Sequence, residues 1–198
     1  MKRAEGVPRE LRTDRLWLRR WLPTDRRPFA AMNADPRVTE YFTAALSREE
    51  SDALVAKIQS HFDEHGFGLW AVEIPGVVPF AGFIGLAIPQ FESHFTPCVE
   101  IGWRLAAAHW GRGYATEGAR AVLAFGFETL GLSEIVSFTV PGNLGSRRVM
   151  EKIGMARNPA DDFDYPSMPE ARSARRHVLY RILRPSIADA LQAEDQTE

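Results

Sequence analysis

Between positions 110 and 116 the chain reads Trp110-Gly111-Arg112-Gly113-Tyr114-Ala115-Thr116. A strand-like run, Val99 to Leu105, precedes it, and a helix-like run, Thr116 to Thr129, follows. Two glycines at a strand-to-helix turn let the backbone come close to a bound anion. The unpaired N–H groups of the helix start then face that anion, with the positive end of the helix dipole behind them. The chemistry that suits this segment is capture of a phosphate-bearing ligand. Two nucleotide motifs are excluded. The third glycine of G-x-G-x-x-G would fall at Thr116, and no Gly-Lys-Ser/Thr follows at P-loop spacing. An ordinary βα turn would also read this way.

Other reactive residue types fit less well. His61-Phe62-Asp63-Glu64-His65 matches H-x-x-E-H, the inverted zinc-peptidase motif. Gly66 ends that helix at once and no second glutamate ligand can be assigned, so the pair reads as surface histidines and no metal is expected. Arg172-Ser173-Ala174-Arg175-Arg176-His177 is basic, but it reads as a solvated loop and strand edge. The net charge of -2 gives no general electrostatic reason to expect nucleic acid or membrane. Cys98 has no identifiable base beside it, and as the single cysteine it excludes an intrachain disulfide.

These residues need a scaffold to position them. With 198 residues, 45% of them hydrophobic, the chain can bury one good core. One domain over 1–198 is expected, with its core at 11–183 and flexible tails at 1–8 and 186–198. The longest apolar runs, such as Phe80 to Ile88, are too short to span a bilayer, and the first residues have no apolar signal region. A cytoplasmic protein is the simplest expectation.

Leu16, Leu18 and Trp21 pattern as a strand, and Asp25 is placed to cap a short helix ending near Asp35-Pro36. Ser47-Arg48-Glu49-Glu50 has capping-box spacing before apolar residues at Leu54, Val55, Ile58 and Phe62, which predicts a second helix stopped by Gly66. Leu69 to Ile74 and Phe80 to Ile88 read as a hairpin. Strand Ile135 to Val140 and a helix over about Leu144 to Ile153 follow, with Asn143 as its cap. Asn158 to Ala174 reads as a long polar loop bearing Asp161, Asp162 and Asp164. His177 to Leu183 is a last strand, and a short helix is expected after Pro185. The order β-α-α-β-β-β-α-β-α-β-β predicts α/β layers.

The segment Trp110 to Ala115 resembles the pyrophosphate loop of the GNAT acetyltransferases, Gln/Arg-x-x-Gly-x-Gly/Ala, with Trp110 in place of Gln or Arg. Pro141 to Met155 resembles their second signature, Asn-x-x-Ser/Ala followed by a helix ending at Gly-Phe/Met, here Asn143, Ser146 and Gly154-Met155. Leu11-Arg12-Thr13-Asp14-Arg15-Leu16-Trp17-Leu18-Arg19 is similar to the opening strand of the RimJ/RimL-like branch, whose named enzymes acetylate N-terminal amines of ribosomal proteins. Together the matches span Leu11 to Leu183.

The resemblance implies a mixed, splayed central sheet flanked by helices, with acetyl-CoA as co-substrate. Its acceptor would be a primary amine, on a protein N-terminus or a small molecule. The pantetheine arm would run beside Trp103, Arg104 and Leu105, and a backbone N–H there would polarise the thioester carbonyl. The pyrophosphate would lie over Gly111 to Ala115, flanked by Trp110 and Thr116, with Asn143 bonding pantetheine. Glu100 is the candidate base, though it equally fits a charge on a half-exposed strand. Asp162 and Asp164 are rivals, and they also fit a solvated acidic loop.

Met150 stands where many members carry a tyrosine acid, so Ser146 becomes the candidate proton donor, alongside its plain reading as a first-turn serine. Tyr114 and Tyr180 read as packing residues. A non-catalytic acetyl-CoA sensor is the alternative, and a homodimer is expected by analogy.

Overall fold

The computed structural model describes residues 8–42, 44–166 and 175–184. Leu11–Arg12 (β1) and Trp17–Arg19 (β2) pair antiparallel at one sheet edge. Arg26–Asn33 (α1), the single turn Pro36–Thr39 (α2) and Arg48–His65 (α3) follow. Ser47 opens α3 as its spacing predicts. Its Oγ accepts the Glu50 N–H at 3.1 Å, and the Glu50 carboxylate accepts the Ser47 N–H at 2.7 Å. Two otherwise orphaned amides are thereby satisfied. Gly66 ends the helix in the left-handed region, φ +82.

Leu69–Ile74 (β3) and Val78–Ala87 (β4) form the expected hairpin, and Glu100–Leu105 (β5) returns antiparallel to β4. Tyr114–Ala124 (α4) continues into a π-helical turn over Phe125–Thr129. Glu134–Thr139 (β6), Leu144–Lys152 (α5), Ala156–Arg157 (β7), Phe163–Asp164 (β8) and Arg176–Leu183 (β9) complete the described chain.

The strand order is β1-β2-β3-β4-β5-β6-β9-β7, with β8 on β9. Among the described strands only β5 and β6 run parallel. A parallel pair cannot be closed by a tight turn, and α4 supplies the crossover. It packs on β4 and β5 and touches α5, while α1 packs on α3 and β4. Trp70, Phe29, Phe67, Ile84, Leu86 and Ile101 are fully buried between these layers. Glycine is required where β4 meets its neighbours. A Cβ at Gly82 (φ +139) would lie 2.1 Å from the Arg104 carbonyl oxygen, and one at Gly85 would lie 2.1 Å from that of Gly68. The architecture has the α/β layers that the element order predicted, with the mixed sheet flanked by helices that the family resemblance implied.

Three expectations are corrected. Asp25 stands at the N-cap position of α1 but its side chain makes no cap there. It accepts the Leu22 N–H at 2.8 Å and takes both terminal nitrogens of Arg19, at 2.8 and 3.0 Å. Arg19 further donates to Glu73 (3.0 Å), the Arg20 carbonyl (3.1 Å) and the Pro79 carbonyl (2.6 Å). All five guanidinium N–H groups are thereby used, which is what a cation this deeply buried requires. These hydrogen bonds hold the Arg19 pKa above its ordinary value against the opposing effect of burial.

The stretch Asn158 to Ala174, expected as a long loop, is likewise not bare over its described part, 158–166. That part contains a tight turn at Pro159–Asp161 and β8. Asp161 bonds Arg181 at 3.0 Å, Asp162 pairs with Arg157, and Asp164 faces Arg176 at 3.4 Å, so the acidic cluster straps this segment onto β9. Residues 167–174, the helix expected after Pro185 and the expected tails, apart from residue 8, lie outside the described residues.

His61, read from sequence as a surface residue, is partly buried. Its Nδ1 meets the Phe67 carbonyl at 2.8 Å and its Nε2 meets the Ile88 N–H at 3.2 Å. A carbonyl at one nitrogen and an amide donor at the other require the neutral Nδ1–H tautomer. Burial pushes its pKa down in the same direction.

Removing Asp25 strips the buried Arg19 of the carboxylate on both terminal nitrogens and leaves it only Glu73 and two carbonyls. Asp25→Ala is expected to cost roughly 3–5 kcal/mol in equilibrium urea denaturation, and Asp25→Asn distinctly less. A loss under about 1 kcal/mol for the alanine variant would show the pair to be dispensable.

Candidate active site

The site begins where β5 and β6 part. Their register contains a single rung, Glu100 opposite Val136, closed by the Val136 N–H on the Val99 carbonyl at 3.0 Å. Beyond it no further β5–β6 pairing occurs among the described residues. The Ala106 N–H bonds the Ala81 carbonyl at 2.9 Å, in the same register that sets Leu105 opposite Gly82. Antiparallel pairs alternate, so Gly102 and Arg104 spend their backbone groups on β4, whereas Trp103 and Leu105 turn theirs toward the gap. Of the three positions expected to meet pantetheine, Trp103 therefore offers both a donor and an acceptor. The Leu105 carbonyl is taken by the Trp110 indole N–H at 2.7 Å. Arg104 contributes its side chain, on the opposite face, rather than its backbone.

At the end of β5 the chain reaches the glycine loop. Gly111 (φ +72) and Gly113 (φ +82) both adopt the left-handed region, and Gly113 is the N-cap of α4. Tyr114, Ala115 and Thr116 form the first helical turn, so their amides rather than loop amides point out of the helix start. Trp110, which replaces the family's Gln or Arg, is half exposed and acts as a tie to β5.

Arg15, which sequence reasoning did not single out, reaches this loop from the turn before β2. It bonds Glu117 through Nε at 2.6 Å and the Arg112 carbonyl at 3.1 Å, and its guanidinium lies 4.8 Å from the centre of the Tyr114 ring. Glu117 also accepts from the Thr13 hydroxyl at 2.6 Å and the Arg15 N–H at 3.0 Å, and these donors hold its carboxyl below the usual range against the effect of burial. No local signal could have paired Arg15 with Glu117 across a separation of 102 residues. Left-handed glycines, a free helix start and Arg112 beside Arg15 suit a pyrophosphate, and the unpaired Trp103 edge suits an amide-bearing arm.

Asn143 caps α5 as expected, accepting the Ser146 N–H at 3.1 Å, and its Nδ2 donates to the Thr139 hydroxyl at 3.0 Å. The Ser146 side chain sits partly exposed in the first turn. Met150 is buried. The Tyr180 hydroxyl accepts from Arg147 at 3.2 Å and donates to Glu151 at 3.0 Å, and the Tyr114 ring is buried under Arg15. Both phenols thus serve the scaffold.

Glu100 lies on the face of β5 shared with Gly102 and Arg104. Its Oε1 would be 4.0 Å from a Cβ at Gly102, so the carboxylate leans along the strand over bare backbone. The side chain keeps some exposure, yet the surrounding protein removes enough water to push its pKa up to about 8.

Next to it stands an aromatic wall that sequence reasoning missed. Phe91 lies 4.8 Å from Tyr165 and 5.7 Å from Phe138, and Tyr165 lies 5.1 Å from His177. Burial and, second to it, the charge of Glu100 raise the Tyr165 pKa. The run Phe91-Glu92-Ser93-His94-Phe95 was the available signal. Cys98 packs against this cluster, and burial, reinforced by the charges of Glu100 and Glu134, pushes its thiol up to about 11, away from nucleophilic use. Arg176 faces Asp164 and His177 is buried, so the described part of the basic run serves β8 and β9. Among the described residues no group of three or more His, Cys, Asp or Glu could hold a metal, and no helix is long and apolar enough to cross a membrane.

Gly113→Asp places a side chain at φ +82 and a negative charge at the helix start, within reach of Arg15. Acetyl-CoA affinity measured calorimetrically is expected to fall at least about tenfold with circular dichroism unchanged. An unchanged affinity would remove the loop from the binding site.

Comparison with known proteins agrees with this geometry. Residues 15–156 match the family model described as an acetyltransferase (GNAT) domain. The uncharacterized protein YkkB of Bacillus subtilis is 35% identical over 147 residues, covering 74% of this chain and 84% of that protein. A GNAT-family acetyltransferase structure from Bacillus anthracis superposes with a TM-score of 0.73 at 27% identity, over 88% of this chain and 98% of its own. Mycobacterium smegmatis RimJ in complex with CoA-disulfide shares the fold, with a TM-score of 0.68 at 17% identity over 91% of this chain and 89% of its own. With the glycine loop on α4 and the parted β5–β6 pair, these matches place the chain in the GNAT family, as an acetyl-CoA-dependent acetyltransferase.

Proposed function

We propose that this acetyltransferase, of the RimJ/RimL-like branch, moves the acetyl group to a primary amine by direct attack, with Glu100 as the base. One observation carries the reading. Glu100 sits at the last β5–β6 rung, where the strands part, and its carboxyl is held at about 8 by burial. Amine acceptors are mostly protonated at neutral pH, with pKa values of about 8 for an α-amine and about 10.4 for a lysine-type amine. A base whose own pKa lies near the working pH is well matched to take that proton.

Acetyl-CoA supplies the activated thioester. The Trp103 N–H, unspent on either neighbouring strand, is positioned to donate to the thioester carbonyl, where negative charge develops. The Ser146 hydroxyl, at the first turn of α5, donates a proton to the departing sulfur. Asn143 orients that turn through its cap, and a contact to pantetheine would draw on the Nδ2 now given to Thr139. Arg112, Arg15 and the α4 amides hold the phosphates. The acceptor is a peptide N-terminus or a small amine, and the chain works as one domain, with a homodimer in keeping with the branch.

The raised carboxyl pKa has two consequences of known sign. For activity, the base must be ionised, so kcat/KM rises with pH toward an apparent pKa near 8. For stability, the ordinary value of 4.5 lies below the folded value of about 8, so the folded state holds a proton that the unfolded state releases between them. Stability is full below pH about 4.5 and is lost as pH rises through 8.

Glu100→Gln is expected to lower kcat/KM about 100-fold or more at pH 7.5, to leave only the acceptor amine's own ionisation in the pH profile of a thiol-release assay, and to gain more in melting temperature over wild type at pH 8 than at pH 5. Unchanged rate and pH profile would remove Glu100 as the base. Acetyl-CoA binding without thiol release across a broad amine panel would instead identify a sensor.

A further inference from the structure

Arg104 lies on the same face of β5 as Glu100, with only Gly102 between them, and the transfer chemistry described above does not use its side chain. Its Nη1 donates to the Asn33 Oδ1 at 2.7 Å. Asn33 is fully buried and held in turn by its own bond to the Ser51 hydroxyl at 3.1 Å, so α1 and α3 fix one corner of the guanidinium. The guanidinium carbon lies 4.2 Å from the ring centre of Phe42 and 5.4 Å from that of Phe83. Its Nε is buried with no hydrogen-bond partner, and no carboxylate pairs with it among the described residues. Burial alone lowers its pKa to about 10.

The contrast with Arg19 is instructive. That guanidinium, on a more deeply buried residue, has every N–H used and two carboxylates against it. Arg104 is a cation held in place by aromatic rings and one amide, with the donors along its Nε edge unspent. Buried donors and charges without partners are costly and rare in native proteins, and a ligand group is one recognised explanation. The Nε–Nη2 edge of a guanidinium matches the two oxygens of a carboxylate. Glu100 and Arg104 are four residues apart, about 13 Å along the strand, and Glu100 leans toward Arg104 over Gly102.

We propose that Arg104 binds an anionic group of the acceptor, so that the substrate is a small amine bearing a carboxylate. The inference rests on amine acetylation as the function of this site and names the class of amine. Glu100 takes the proton from the amine, and Arg104 fixes the carboxylate of the same molecule. Asn33 and Phe42 keep the guanidinium oriented. A long peptide would need an acidic side chain near its N-terminus to make the same pair of contacts.

The test uses CoA-saturated protein titrated calorimetrically with each natural amino acid and its decarboxylated amine, for example phenylalanine against phenethylamine. At least one pair is expected to show about tenfold or greater preference for the carboxylate form, collapsing to within about twofold in Arg104→Gln and partly restored in Arg104→Lys. The glutamine retains a donor for Asn33, and thermal melting checks that both variants fold. CoA affinity measured in the same variants separates a carboxylate subsite from a contact to a CoA phosphate. No preference for the carboxylate form in any pair, a preference that survives in Arg104→Gln, or a loss confined to CoA affinity overturns the proposal. So does binding found only with peptides.

The two readings fail separately. Thiol release with carboxylate-free amines alone leaves amine acetylation standing and sinks the Arg104 subsite. Preferred carboxylate binding without thiol release from any amine does the reverse.

Discussion

A backbone amide in a sheet interior normally has one fate, which is to pair with the next strand. At Trp103 that fate is withheld. β5 is paired to β4 along its whole length, yet it meets β6 at the single rung between Glu100 and Val136. Parallel neighbours that diverge after one rung leave a wedge whose walls are unspent N–H and C=O groups. Such groups are stable only in contact with water or with a ligand that offers the complementary pattern. Everything else in the site is arranged around that wedge. The antiparallel partner keeps β5 straight, and Gly82 and Gly85 let β4 lie close enough to its neighbours to do so. α4, the crossover that a parallel pair demands, brings its free N-terminal amides to one end of the gap. The Asn143 cap and its bond to Thr139 set the start of α5 at the end of β6.

The electrostatic layout follows from the alternation of one strand. Odd residues of β5 turn side chains toward α4 and backbone groups toward the wedge. Even residues place Glu100 and Arg104 on the opposite face, away from Arg15, Arg112 and the dipole of α4. In the proposed reaction this alternation assigns a phosphate-bearing donor and a cationic acceptor to different sides of a single strand. That separation keeps the carboxylate proposed as the base away from the cations of the glycine loop. Burial then tunes what remains, raising the carboxyl of Glu100 and leaving Arg104 charged but uncompensated.

Local features of this arrangement were legible in the sequence. The Ser47–Glu50 capping box, the Gly66 stop, the hairpin after Leu69, the left-handed glycines at 111 and 113 and the Asn143 cap are each decided within a few residues. What escaped is long-range. Asp25 looked like a helix cap although its competitor, Arg19, stands only six residues earlier, because the groups that fix that guanidinium from the other side, Glu73 and the Pro79 carbonyl, come from distant strands. His61 looked like a surface residue because the groups it bridges, at Phe67 and Ile88, belong to different segments. Arg15 meets Glu117, and Asn33 meets Arg104, only through the sheet. The aromatic wall needs three separate stretches, around Phe91, Phe138 and Phe163 to Tyr165, to be folded together.

The central claim is that the Trp103 amide is left free by the fold and is filled by the acetyl donor. Residue-resolved amide hydrogen exchange, with and without acetyl-CoA, tests it directly. The account predicts that Gly102 and Arg104, bonded to β4, are already protected in the free protein. Trp103 exchanges fast and becomes protected only when acetyl-CoA is bound. A Trp103 amide already as slow as its neighbours, or one that acetyl-CoA leaves unchanged, would contradict it.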